Sequence, residues 1–172
     1  MKHNKIHIIG GPGSGKSFFA RQLFEKLSIP SYDLDNIFWD QKANDYNTKT
    51  EERIRGKLLG EIMKKDRWVV EGVYYRWVNE SFEGADKIVI LNTPLAVRNW
   101  RIFVRFIKRK MRIVKSKSEK FTDFVNLFLW NSKFDSDNLI RIRSHLQKYN
   151  DKIIEIKTKK QAQEFLEVLN CN

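Results

Sequence analysis

Gly10-Gly11-Pro12-Gly13-Ser14-Gly15-Lys16-Ser17 is the stretch whose reading decides the fold. It satisfies G-x-x-x-x-G-K-[ST] at every fixed position, and both flanks suit it. Before it, Ile6-His7-Ile8-Ile9 is a short apolar run that reads as a buried strand; after it, Phe18 to Leu27 carries apolar residues at helical spacing. A strand, a glycine loop and a helix in that order form a phosphate-binding unit. The glycines let the backbone wrap closely enough for successive N–H groups to point at phosphate oxygens, and the helix adds the positive end of its dipole. In this reading Gly11, Gly13, Ser14, Gly15, Lys16, Ser17 and Phe18 contact ATP. Lys16 reaches the β- and γ-phosphates, and the Ser17 hydroxyl ligates Mg²⁺.

The 172 residues suit one domain over the whole chain, large enough to bury ~70% of its unfolded surface without staples. The one cysteine, Cys171, excludes a disulfide framework or a Cys-based zinc site within the chain. No apolar run reaches ~18 residues and no signal-peptide pattern opens the chain, so a cytoplasmic location is expected, with no membrane partner. The net charge of +12 is concentrated: ten Lys/Arg and one Asp/Glu lie between Arg98 and Lys120, leaving 23 basic and 20 acidic residues elsewhere. A localised polyanion site follows, rather than a generally basic surface.

Further strands are expected at 31–35, 67–71, 85–91 and 152–156, with helices at about 50–65, 94–110, 121–149 and 158–169. The helical run 121–149 is interrupted near Asp135-Ser136-Asp137, and Thr158 can cap the last helix. Strands alternating with helices predict an α/β fold, a parallel sheet covered on both faces. Ligands gather at the carboxyl ends of such strands, where Asp35, Glu71-Gly72 and Asn92 fall beside the glycine loop.

Phosphoryl transfer needs a carboxylate to hold Mg²⁺ through its waters or to accept the proton of the attacking group. Asp33 and Asp35 alternate along a strand, so one of them faces the phosphates, and Asp35, nearer the carboxyl end, is the choice. Its alternative is an N-cap or Asx-turn for Asn36–Trp39, while Asp33 reads as a strand-end acid. Glu71 is either a carboxylate near Mg²⁺ or part of a terminating turn, and Gly72 would let ligand approach the backbone. Tyr74, Tyr75, Arg76 and Trp77 line an acceptor pocket or simply pack. On the helix after Pro94, Trp100, Val104, Ile107 and Met111 form the expected apolar face. Arg98, Arg101, Arg105, Lys108 and Arg112 form a basic stripe, either a phosphate clamp, a solvated face, or a surface for nucleic acid or anionic membrane. Arg141 and Arg143 could join the clamp. The scattered His3, His7 and His145 have no metal-binding spacing, and no nucleophile motif supports covalent catalysis.

The chain resembles the adenylate-kinase-like P-loop kinases, and within them the DNA topology modulation (FlaR-type) proteins. The loop carries the resemblance, with Leu34-Asp35 after Ile29-Pro30, Asp66 through Tyr74, and Ala85 through Pro94 running into Trp100-Arg101 and Arg105. The resemblance implies a three-layer P-loop NTPase fold of strand order 2-3-1-4-5, like that of nucleoside monophosphate kinases, with a lid at about 108–120. It also implies lid-flanking arginines at Arg101 and Arg105, and places Asp35 where related kinases keep a magnesium or acceptor carboxylate. Two positions depart from the family pattern. Its Asp-Gly-Asn-Tyr is Glu71-Gly72-Val73-Tyr74 here, and its Leu-Asp is Leu91-Asn92, which leaves no carboxylate at that strand end. The expectation is Mg²⁺-dependent transfer of the ATP γ-phosphoryl to a small-molecule or nucleotide acceptor, with Lys16, Asp35, Arg101 and Arg105 catalytic and Ser17 and Asp35 at the metal. The alternative is a nucleotide-regulated, topology-modulating protein that binds DNA or RNA through residues 98–120.

Overall fold

Alternation along the strands sorts their side chains to two faces, and both faces are covered. The computed structural model describes residues 4–40, 48–111 and 121–170. His3, Cys171 and residues 112–120, most of the expected lid, lie outside them. The strands are Lys5–Gly10 (β1), Ser31–Asp33 (β2), Trp68–Gly72 (β3), Lys87–Leu91 (β4) and Ile153–Ile156 (β5). All pair in parallel, in the order β2-β3-β1-β4-β5. This is the α/β fold of P-loop NTPases, with β1 central and its end, Ile9-Gly10, in register with Gly72 on one side and Leu91 on the other.

The helices are Lys16–Leu27 (α1), Asp35–Phe38 (α2), Glu52–Met63 (α3), Asn79–Gly84 (α4), Leu95–Lys110 (α5), Phe121–Lys133 (α6), Leu139–Leu146 (α7) and Lys159–Asn170 (α8). Ile6, Ile8, Val69, Val89 and Leu91 face α1 and α8, meeting Phe19, Leu23, Phe165 and Leu166. Their neighbours Ile9, Trp68, Val70, Ile88 and Ile90 face the other way, onto Ile37 of α2, Leu59 of α3, Phe82 of α4 and Ile142 of α7. Burying these alternating apolar sets supplies most of the drive to fold. A π-helical turn at Phe134–Asn138 is the interruption expected between α6 and α7. The Thr158 hydroxyl oxygen accepts from the Gln161 amide at 3.2 Å, and the Thr158 amide donates to Gln161 Oε1 at 3.2 Å, a reciprocal cap for α8.

Two local expectations are corrected. Trp100, Ile107 and Met111 are exposed rather than core-facing, and the buried residues of α5 are Arg98, Ile102 and Phe106. Arg98 is fully buried because its guanidinium reaches Asp135 at 2.7 Å and the Asn131 carbonyl at 3.3 Å. It is therefore neither a solvated residue nor a member of an outward basic stripe. Asp35 does not alternate with Asp33 along a strand: β2 ends at Asp33, and Asp35 opens α2, its amide held by the Asp33 carboxylate at 2.9 Å. That turn brings both acids to the same cleft.

Candidate active site

Close packing and left-handed backbone shape the loop between β1 and α1. Gly13 (φ +71°) and Gly15 (φ +99°) sit where L side chains are strained, and a Cβ on Gly13 would lie 2.7 Å from the Arg98 carbonyl oxygen. The loop carbonyls are tied up by donors. Lys16 Nζ donates to Gly11 O at 3.1 Å, Arg101 to Gly13 O and Ser14 O at 3.2 and 3.0 Å, and Thr93 Oγ1 to Ser14 O at 2.9 Å. Two cations thus already stand at the loop, on weak neutral acceptors that an anionic ligand can outcompete.

The loop floors a cleft of about 1170 Å³. Of the residues expected to bind nucleotide, Gly13, Gly15, Lys16, Ser17 and Phe18 line it, while Gly11 and Ser14 are buried behind this surface. Gly11 packs against Phe134 and Arg98, so a Cβ there would lie 3.0 Å from the Phe134 ring. Asp33, Asp35, Arg101, Arg105 and Arg109 line the same cleft. Arg141 and Arg143 do not join it; they pair with Asp137 at 2.6 Å and Glu155 at 2.8 Å. Asn92 is likewise engaged elsewhere, donating to Glu155 at 2.7 Å.

Glu71 is the acid that matters most beside the loop. It is the last residue but one of β3, in register with Ile8 of β1, is 4% exposed, and accepts the Ser17 hydroxyl. Burial raises its carboxyl above the usual range, and the Ser17 bond and the Lys16 charge oppose that rise. Burial pulls Lys16 below its usual value, while Glu71, then Asp35, then Asp33 pull it back up and nearby Arg105 adds to the lowering. Burial likewise raises Asp33, against the bond from the Asp35 amide. Lys16 is therefore a half-buried cation set among three carboxylates. Only the end-of-strand position of Glu71 marks it in the sequence; its closeness to Ser17 follows from β3 lying beside β1.

The far half of the cleft has an aromatic wall. Phe38 stacks on Tyr74 at 4.5 Å, and Trp77 stands 5.5 Å from Tyr74 and 6.2 Å from Phe38. The Tyr74 hydroxyl donates to Asp35 at 2.6 Å and receives a bond from Trp39; burial, then the Asp35 bond, raises its pKa, so it stays a protonated donor. Gly72 lines the cleft, and a Cβ there would also meet Leu34 at 3.0 Å and Tyr74 at 3.1 Å. Phe38, Lys49 and Asn138 also line the cleft without belonging to any motif. Lys49 is brought in by the bridge between Trp39 and Lys49.

The site fits Mg²⁺ and a nucleoside triphosphate. The positive-φ glycines make a backbone cradle, and the hydroxyl–carboxylate pair Ser17–Glu71 is a hard oxygen donor set. Among the described residues no cluster of three or more His, Cys, Asp or Glu is arranged to hold a metal by itself, and no helix is long and apolar enough to cross a membrane.

No family model matches the chain, and no curated protein matches it in sequence. Solved structures share its fold. An uncharacterized protein from Eubacterium ventriosum ATCC 27560 superposes with a TM-score of 0.56 at 14% identity, covering 99% of this chain and 100% of that one. Shikimate kinase from Acinetobacter baumannii, in complex with shikimate, superposes at 0.57 with 17% identity, covering 98% and 94%.

Proposed function

We propose that this protein transfers the γ-phosphoryl group of Mg²⁺-bound ATP to a small-molecule or nucleotide acceptor. The observation that carries the reading is one cleft holding Lys16 and Ser17–Glu71 at its floor, Arg101 and Arg105 on one side, and Asp33, Asp35 and an aromatic wall beyond. A loop used only for switching or hydrolysis has no need of the second half. The fold shared with a shikimate kinase supports the kinase class and leaves the acceptor open.

Bound Mg²⁺·ATP supplies the phosphoryl group and charge neutralisation at its oxygens. The loop amides and Lys16 hold the β- and γ-phosphates, Lys16 leaving the Gly11 carbonyl to do so. Ser17 would hold the metal, with Glu71, which accepts its hydroxyl, and Asp35 as the carboxylates that would serve it. Arg101 and Arg105 neutralise charge on the transferring group. The nucleic-acid alternative lacks a comparable observation: Arg98 is buried, and Arg101, Arg105 and Arg109 line the cleft.

The test is coupled detection of ADP across nucleotides and small metabolites, with water as the control and Lys16→Ala beside the wild type. Acceptor-dependent ADP that vanishes in the variant is expected. Unchanged turnover in Lys16→Ala would contradict the site.

A further inference from the structure

The helix α5 divides its side chains three ways. Arg101, Arg105 and Arg109 turn to the cleft, while Arg98, Ile102 and Phe106 turn inward, where Phe106 stacks on Phe124 of α6 at 4.4 Å. The third side carries Val97, Trp100, Phe103, Ile107 and Met111, whose spacing sets them on one stripe, and all five are exposed. Trp100 and Met111 are each 64% exposed. At 1.5 Å per residue the stripe is about 20 Å long. A contiguous apolar strip facing water marks a binding surface.

We infer that this face of α5 docks on an anionic lipid bilayer, the helix lying flat in the interface. The charge around the stripe selects the occupant. Helical spacing sets Lys108 along one edge of it and Lys110 along the other, both exposed, and α5 holds six Lys/Arg and no acid. Lysine stems lie along hydrocarbon while their ammonium groups reach back to lipid phosphates. An indole ring suits that same depth, and Val97, Ile107 and Met111 gain by leaving water for acyl chains. Among the described residues no helix is long and apolar enough to cross a bilayer, and docking at its surface does not require one.

Other occupants match the surface less well. A second copy would set one lysine-edged stripe against another, with no acid on either helix to answer the charge. An amphipathic peptide is held in a groove, whereas this stripe is the outward side of one helix. Nucleic acid gains by stacking on rings, and three of the five side chains have none. None of the five lines the cleft, so the face can be altered without touching the ATP site.

The full chain is sedimented with vesicles of pure phosphatidylcholine and with vesicles of equal parts phosphatidylcholine and phosphatidylglycerol, and tryptophan emission is followed in parallel. Binding to the anionic vesicles is expected to be about tenfold or more tighter than to the neutral ones, and to weaken as salt rises. Trp100→Phe is expected to keep the binding and lose most of the emission shift, since the ring that enters the interface is then no longer an indole. Trp100→Ala combined with Met111→Ala, and Lys108→Gln combined with Lys110→Gln, are each expected to weaken binding by about tenfold or more. All four side chains are exposed, and unchanged thermal unfolding shows that the fold survives in each variant. No binding to either vesicle, equal binding to both, full binding by either double variant, or an undiminished emission shift in Trp100→Phe would overturn the inference. So would a dimer in sedimentation equilibrium that the Trp100 and Met111 variant dissociates, or single-stranded DNA binding lost in that variant, since each assigns the face to another occupant.

Discussion

Arg98 and Asp135 meet at 2.7 Å directly behind the phosphate loop, the arginine fully buried and the aspartate with 41% of its side chain in solvent. Arg98 also lies 5.5 Å from the Phe134 ring and packs against Gly11. The pair joins α5, the π-helical turn and the loop. Removing the acid strands a buried cation, whereas removing the cation leaves an aspartate that water can reach. Asp135→Ala is therefore expected to cost about 1–3 kcal/mol, below the range for a wholly buried pair because the aspartate is partly solvated. Arg98→Met should cost less. Urea unfolding of the two variants decides, and a larger loss in Arg98→Met would contradict this asymmetry.

Backbone strain makes Gly13 intolerant. Gly13→Ala puts a Cβ 2.7 Å from a backbone oxygen at φ +71° and is expected to cost about 1–3 kcal/mol and to lose ATP binding. Gly56, in α3, has nothing within 4 Å of an added Cβ, so Gly56→Ala should stabilise by about 0.5–1 kcal/mol. Thermal unfolding of both variants checks the opposite signs.

His7 sets a stability slope in acid. Ser81 donates its hydroxyl to the Val78 carbonyl, so its oxygen accepts from His7 Nδ1–H, and Nε2 faces the interior without a partner. A second proton would be buried and unpaired, and burial pushes the imidazole pKa down from 6.5 to about 3. Between those values the unfolded chain binds more protons, so this term is present above pH 6.5 and lost as the pH falls toward 3. The fall approaches ~1.4 kcal/mol per pH unit. The raised carboxyls of Asp33 and Glu71 work in the opposite sense, so the difference from His7→Asn isolates the histidine. An identical slope in that variant would contradict the assignment.

Glu71→Gln keeps the shape but removes the charge that receives the Ser17 hydroxyl. The Mg²⁺ concentration that half-saturates ATP binding is expected to rise roughly tenfold or more. An unchanged requirement would place the metal away from Ser17–Glu71.

The loop, the alternating elements, the interruption near Asp135–Asp137 and the Thr158 cap were legible because each depends on residues close together in the chain. The strand order followed from family resemblance rather than from periodicity. What the residues hid was contact across distance. Arg98 looks like a surface charge until Asp135, 37 positions away, supplies its counter-charge. Reading it as exposed turned the rest of α5 around, so Trp100 and Met111 seemed to be core. Asp33-Leu34-Asp35 continues an alternating pattern, yet Leu34 is buried and the chain turns there into α2, bringing together two acids that a strand would have separated. Glu71 gains its meaning only from the sheet order that sets β3 beside β1.

The most direct test of the central claim, that Gly10–Ser17 binds Mg²⁺·ATP through Lys16, is calorimetric titration with ATP in Mg²⁺ buffer for the wild type and Lys16→Ala. Saturable one-site binding by the wild type, weakened by about tenfold or more in the variant, is the predicted result. Equal affinity in the two proteins, or no binding by the wild type, would contradict it.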